Sequence, residues 1–162
     1  MEGIIEHPKV FISYSWDTEN GDGEHKKWVR DLATKLRSHG VDVILDQFDL
    51  RLGDDLPFFM EQGLTTFHLV ICICSEKYTE KANAGQKGVG YEKRILANEL
   101  LNDSDKKFII PIVRNNHSKK KLPTFLSGAL YVDFDNEDFY TAYKELICLL
   151  YTSDAADELD GV

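Results

Sequence analysis

The run Leu69-Val-Ile-Cys-Ile-Cys74 carries no polar alternation at any position. A strand with one solvated face alternates apolar and polar residues, so a strand without alternation has to be covered on both faces. Central strands of parallel sheets meet that condition, because their crossover helices lie on either side of the sheet. The stretch His68 to Cys74 is therefore predicted to be the buried centre of an α/β domain.

The flanking sequence supplies the rest of such a domain. Val10-Phe-Ile12 reads as a first strand, ending in Ser13-Tyr-Ser15. Trp28, Val29, Leu32, Ala33 and Leu36 recur at helical spacing, and Gly40 is placed to end that helix. Val41 to Leu45 is a second strand. A loop from Asp46 to Asp55 follows, then a short helix with Pro57 in its first turn and Phe58, Phe59 and Met60 nearby. After the central strand come a long loop, Ser75 to Gly90, and a helix over Tyr91 to Leu101. Phe108 to Val113 is a fourth strand, whose Pro111 suggests a place near the sheet edge. Leu130-Tyr-Val132 is a fifth, and Phe139 to Tyr151 a closing helix. Five strands interleaved with helices predict a flavodoxin-like, doubly wound α/β fold, a five-stranded parallel sheet with helices on both faces.

At 162 residues the chain is the size of one domain. The expected division is an N-terminal extension over 1–8, the domain over 9–151, and an acidic, disordered tail over 152–162. The formal net charge is −9, of which Asp154, Asp157, Glu158 and Asp160 in that tail contribute −4 without a base. An acidic balance argues against the basic face that nucleic acid requires, so no nucleic-acid partner is expected, and Lys119-Lys-Lys121 reads as a solvated loop. Met1 to Pro8 lacks a basic segment followed by an apolar one, and no apolar run is long enough to span a bilayer. No membrane association and a cytoplasmic location are the expectations. Cys72 and Cys74, on one side of a strand, read as buried thiols; with Cys148 they make an odd count. The five histidines are scattered without metal-ligand spacing, so no metal is expected.

Doubly wound sheets take ligands beyond the carboxyl ends of their strands. That rule selects Ser13 to Asp17, Asp46 to Asp55 and Ser75 to Glu92. On a helical wheel with Tyr91 at zero, Ile95, Leu96 and Leu100 fall at about 40°, 140° and 180°. Glu92 and Glu99 fall at about 100° and 80°, inside the apolar arc, where a carboxylate needs a partner or a purpose. Glu99 reads as paired or reaching the edge. Glu92 is in the first turn, at the ligand rim, roughly 10 Å from Glu99 along the axis, and is the better functional candidate. The loop Gly85-Gln-Lys-Gly-Val-Gly90 is a weak phosphate cradle, being no dinucleotide fingerprint. No Walker, GxSxG or HExxH motif occurs. A receiver domain is excluded because the third strand ends in Cys72-Ile-Cys-Ser75, without a phosphoacceptor aspartate.

Three motifs carry a family resemblance over about Lys9 to Tyr151. Pro8-Lys-Val-Phe-Ile-Ser-Tyr-Ser-Trp-Asp17 resembles the first box of SEFIR and TIR (Toll/interleukin-1 receptor) domains. Asp46-Gln-Phe-Asp-Leu-Arg-Leu-Gly53 resembles the family's BB loop. Gly88-Val-Gly-Tyr-Glu92 is similar to the G-x-G-x-E stretch of bacterial SEFIR-like sequences, with Gly88 where TIR enzymes carry tryptophan. The resemblance implies a flavodoxin-like fold and two possible functions. One is a homotypic interaction module acting as a signalling adaptor. The other, favoured by Glu92, is a NAD glycohydrolase cleaving the nicotinamide–ribose bond, activated by self-association in a defence or signalling protein.

In that enzyme Glu92 is the implied catalytic carboxylate and NAD the substrate, with no cofactor. Tyr14 and Trp16 stack on the rings or pack internally. Ser15 and Arg51 meet hydroxyls or phosphates, a surface salt bridge being the alternative for Arg51. Asp46 orients the ribose or caps the next turn, and Tyr91 lines the substrate or belongs to the core. Phe48, Leu50 and Leu52 are the candidate interaction residues for self-association or for other SEFIR/TIR domains, packing beneath their loop being the alternative.

Overall fold

The computed structural model describes residues 8–14, 23–55, 59, 62–63, 69–84, 108–119, 121–123, 126 and 129–160. Five strands, β1 (Lys9–Ser13), β2 (Asp42–Ile44), β3 (Leu69–Cys74), β4 (Phe108–Val113) and β5 (Val132–Asp133), form one sheet. Its order is β2-β1-β3-β4-β5 and every neighbouring pair is parallel. Helices α1 (Glu24–Ser38), α2 (Asp46–Asp49), α3 (Glu76–Ala84) and α4 (Phe139–Asp160) connect or follow the strands.

The period of two along each strand assigns side chains to opposite faces. Val10, Ile12, Ile71 and Ile73 face a core completed by Val29, Leu32 and Leu36 of α1 and by Ala142, Leu146 and Leu150 of α4. Phe11, Val70, Cys72 and Cys74 face a second core with Tyr78 of α3 and Leu126. The β3 run is buried at all six positions, as its unbroken apolar character requires.

Gly40, at φ 90°, ends α1 as expected. The Gly40 N–H donates to Arg37 O and the Val41 N–H to Leu36 O, the paired bonds of a Schellman motif. At the far side of α1, His39 Nδ1 lies 2.7 Å from the Tyr143 hydroxyl on α4, and burial pushes that phenol up to about 12.

Several boundaries differ from the sequence reading, each for a local reason. The segment after β3 is not wholly loop: Ser75 accepts the Tyr78 N–H on its Oγ at 3.2 Å and so caps α3. The loop after β2 opens with a helical turn, α2, in which the Asp49 carboxylate accepts the Leu45 N–H at 3.0 Å. Pro111 is in β4, next to the edge strand, in keeping with the place near the edge that it suggested: β5 pairs only with Ile112 and Val113, and among the described residues no strand lies alongside the outer side of β4 at Pro111. The fifth strand is Val132–Asp133, starting two residues later than expected and leaving Leu130 95% exposed. Helix α4 runs on to Asp160, through most of the stretch read as a disordered tail. Ala155, Ala156, Glu158 and Leu159 there are good helix formers. The helix expected at Tyr91 to Leu101 lies outside the described residues.

Beneath the second core, Phe59 packs on Phe11 with ring centroids 5.9 Å apart. A Cβ on Gly63 would collide with the Phe11 ring, which is fully buried and has nowhere to move. Gly63→Ala is expected to destabilise the domain by about 1–3 kcal/mol through overpacking, read as a lower urea midpoint at unchanged slope.

Candidate functional site

A fully apolar sheet interior leaves polar side chains only the ends of the strands. Among the described residues the buried polar or charged side chains are Ser13, His25, Asp46, Ser75, Thr79 and Asn116. All six lie at one end of the sheet. Ser13 closes β1, Asp46 follows β2, Ser75 follows β3 and Asn116 comes shortly after β4, while His25 and Thr79 are in the first turns of α1 and α3. This is the carboxyl edge, where helix N-termini and loops converge on a ligand.

The connections diverge between β1 and β3, the switch point of the sheet. A hydrogen bond spans it: Ser13 Oγ is 3.0 Å from the Tyr78 hydroxyl. On the β2 side, Tyr14 donates its hydroxyl to Asp46 Oδ1 at 2.8 Å, and Gln47 Nε2 donates to the same tyrosine oxygen at 2.9 Å and to Lys26 O. On the β4 side, Arg114 Nη1 lies 2.8 Å from His25 Nδ1. Asn116 donates through Nδ2 to Cys74 O and Lys121 O, and the Asp135 carboxylate accepts the backbone N–H groups of Asn115 and Asn116. Asn115 takes φ 58°, which an asparagine tolerates, and the β4–β5 connection is thereby held against the rim.

The candidate residues divide clearly. Tyr14 is 1% exposed, with its ring in the core, so packing is the role its geometry shows. Asp46 is buried beside it at the start of α2. Arg51 is exposed at the base of a tight turn, where its N–H donates to Asp54 Oδ2 while the Asp54 N–H returns to Arg51 O. Gly53 takes φ 91° in that turn, as a type II turn requires at its third position, and this lifts Leu52 to full exposure. Phe48 is only partly exposed, packed on the core with the Arg37 guanidinium 4.1 Å over its ring, and Leu50 is half-buried. Ser15, Trp16, Tyr91 and Glu92 lie outside the described residues. Among those described, no three His, Cys, Asp or Glu side chains converge as a metal site, and no helix is long and apolar enough to cross a membrane.

Sequence reasoning missed His25, Arg114 and Asn116, and did not single out Gln47 and Tyr78 within the stretches it selected. His25 had a signal, because it precedes Val29, Leu32 and Leu36 at the spacing of their buried stripe. Arg114 and Asn116 follow β4, an edge that the rule for doubly wound sheets also covers.

Fold and rim together define a doubly wound α/β domain whose polar groups gather at the ligand edge. The chain belongs to the TIR domain family, whose model matches residues 10–147. It is similar to a prokaryotic SEFIR domain of known crystal structure, at 38% identity and a TM-score of 0.70, over 89% of this chain and 99% of that one. It also matches the 2′ cyclic ADP-D-ribose synthase BtTIR of Bacteroides thetaiotaomicron, at 40% identity over 74 residues, 46% of this chain. The NAD(+) hydrolase TcpA of a Theionarchaea archaeon is 35% identical over 81 residues, 50% of this chain. These matches span 26% and 22% of the two relatives' own lengths.

Tyr14→Phe tests the rim network. It removes a donor to a buried carboxylate and an acceptor for Gln47, and is expected to cost about 1–3 kcal/mol by chemical denaturation. A change below the error of the measurement would mean that Asp46 does not need the bond.

Proposed function

We propose that this domain cleaves NAD between nicotinamide and ribose. The observation that supports the reading most is the gathering of all buried polar side chains among the described residues at the carboxyl edge. The two curated relatives support the choice of substrate, one being named for NAD hydrolysis and the other for forming a cyclic ADP-ribose. Both reactions begin with the same step if NAD is the common source. The bond from ribose C1′ to the pyridinium nitrogen breaks, its electron pair neutralises the leaving nicotinamide, and positive charge develops on the ribose. Water or a ribose hydroxyl then closes the carbon and releases a proton.

Glu92 is the residue we assign to that charge: a fixed carboxylate stabilises an oxocarbenium-like state more than the ground state. Asp46, with one oxygen held by Tyr14, is the proposed ribose contact. Ser15, Trp16, Arg51 and Tyr91 are proposed to complete the binding of the dinucleotide. Glu92→Gln keeps shape and removes charge, so nicotinamide release by concentrated protein should fall about a hundredfold or more. Equal rates for the two proteins would place the chemistry elsewhere.

A second reading, a homotypic interaction module in signalling or defence, is favoured by Leu52. Its side chain is fully exposed at the tip of a turn locked by Arg51 and Asp54. Leu52→Asp should leave stability within about 0.5 kcal/mol while lowering the self-association seen by light scattering. If scattering is unchanged in a protein that does associate, this loop is not the contact.

A further inference from the structure

Side chains from four separate places in the chain touch in series behind the rim. Arg114, immediately after β4, places Nη1 2.8 Å from Nδ1 of the buried His25 in the first turn of α1. Its guanidinium is 4.9 Å over the Trp28 ring, and Nη2 is 3.8 Å from the exposed Glu24 carboxylate. The His25 ring is 6.4 Å from the Tyr14 ring at the end of β1, within the range of an aromatic pair. Tyr14 in turn donates to Asp46 after β2. The series thus ties β4, on one side of the switch point, to β1 and β2 on the other.

The chemistry of the first contact is restrictive. A guanidinium has donors and no acceptor, so His25 Nδ1 must offer it a lone pair. The imidazole is then neutral, with its proton on Nε2. A second proton would remove that lone pair and set an imidazolium against a guanidinium, whose Nη2 is 3.8 Å from the exposed Glu24 carboxylate. Among the described residues, the titratable and charged groups about the ring include Arg114 after β4, Tyr14 after β1 with Asp46 behind it, and Glu24 on the same helix.

We propose that Arg114 and neutral His25 are positioning residues for the NAD site. They hold the Tyr14 ring, and through its hydroxyl the Asp46 carboxylate, at the place where the ribose binds. The proposal rests on the NAD-cleaving reading. It adds that the site is correctly assembled only while His25 lacks its second proton.

The test uses the full chain, following nicotinamide release across a pH series beside NMR of the histidine ring nitrogens and the Asp46 carboxyl carbon. His25 is expected in the Nε2–H form on the alkaline side. Release per bound NAD should fall about tenfold or more as the ring takes its second proton, the scale of loss that follows small misplacements in a site. His25→Asn cannot titrate and keeps an amide oxygen for Arg114. It should lack that limb whatever its absolute rate. An Nδ1–H tautomer on the alkaline side, or the same acid limb in His25→Asn, would overturn the proposal. If the wild type releases no nicotinamide at any pH, the NAD reading fails by itself. The positioning claim is then decided by NMR: the Asp46 carboxyl resonance should step with His25 protonation, and a wild type without that step refutes it. Should His25→Asn fail to fold, the tautomer and the step in the wild type decide alone.

Discussion

Leu69 to Cys74 has neighbours on all four sides, with β1 and β4 as strand partners and a helical layer above and below. A strand so enclosed has no water for its backbone, and each N–H and C=O must be met by a neighbouring strand. Parallel pairing on both edges meets them. Parallel pairing in turn demands crossovers, and the crossovers supply the helices that cover the faces. The arrangement of β1, α1, α3 and α4 follows from that one requirement. The two cores are built differently. The α1–α4 side is filled by branched aliphatics from two long helices, while on the other side Phe11 reaches Phe59 and leaves room only for a glycine at position 63.

The same enclosure decides where polarity can go. A buried hydroxyl, amide or carboxylate costs free energy unless it is hydrogen-bonded, and an apolar interior offers no partners. At the carboxyl edge, partners are plentiful: helix N-termini present free N–H groups, and strand ends and loops present carbonyls. Ser75 uses such a donor on α3, and Asn116 uses the carbonyls of Cys74 and Lys121. The Asp135 carboxylate draws in two consecutive N–H groups of the β4–β5 connection. The rim is therefore organised by its own polar bonds before any ligand arrives, which limits the ordering that binding must impose.

The fold was legible wherever periodicity was strong. The unbroken run at β3 and the stripe of Val29, Leu32 and Leu36 in α1 each declared both type and burial. Gly40 declared its turn because only a left-handed residue closes a Schellman motif cheaply. What was not legible depended on partners distant in sequence. Tyr14 is equally suited to stack on a ligand or to fill a core, and only the position of Asp46, 32 residues on, settles that its hydroxyl points inward. Helix α3 was hidden because its apolar content is low and its cap is a single serine. Pro111 was a fair sign of a place near the edge, because β4 is next to the last strand and β5, two residues long, does not pair at the proline.

The connection after β2 joins two opposite environments within seven residues. At its start Asp46 is buried and held by Tyr14; at its tip Leu52 is wholly in solvent. Between them α2 is held by two contacts, the Asp49 carboxylate accepting the Leu45 N–H and Arg37 covering Phe48, and Arg37 is itself anchored by donating to Val43 O in β2. The apolar tip is thus presented by a braced support, and the carboxylate beneath it is oriented by the β1 side of the sheet. A surface for association and a residue of the proposed site can therefore share one short connection without competing for the same atoms. On these grounds the enzymatic and the associative readings are compatible in a single domain, since Leu52 and Asp46 stand on one connection but face different surroundings.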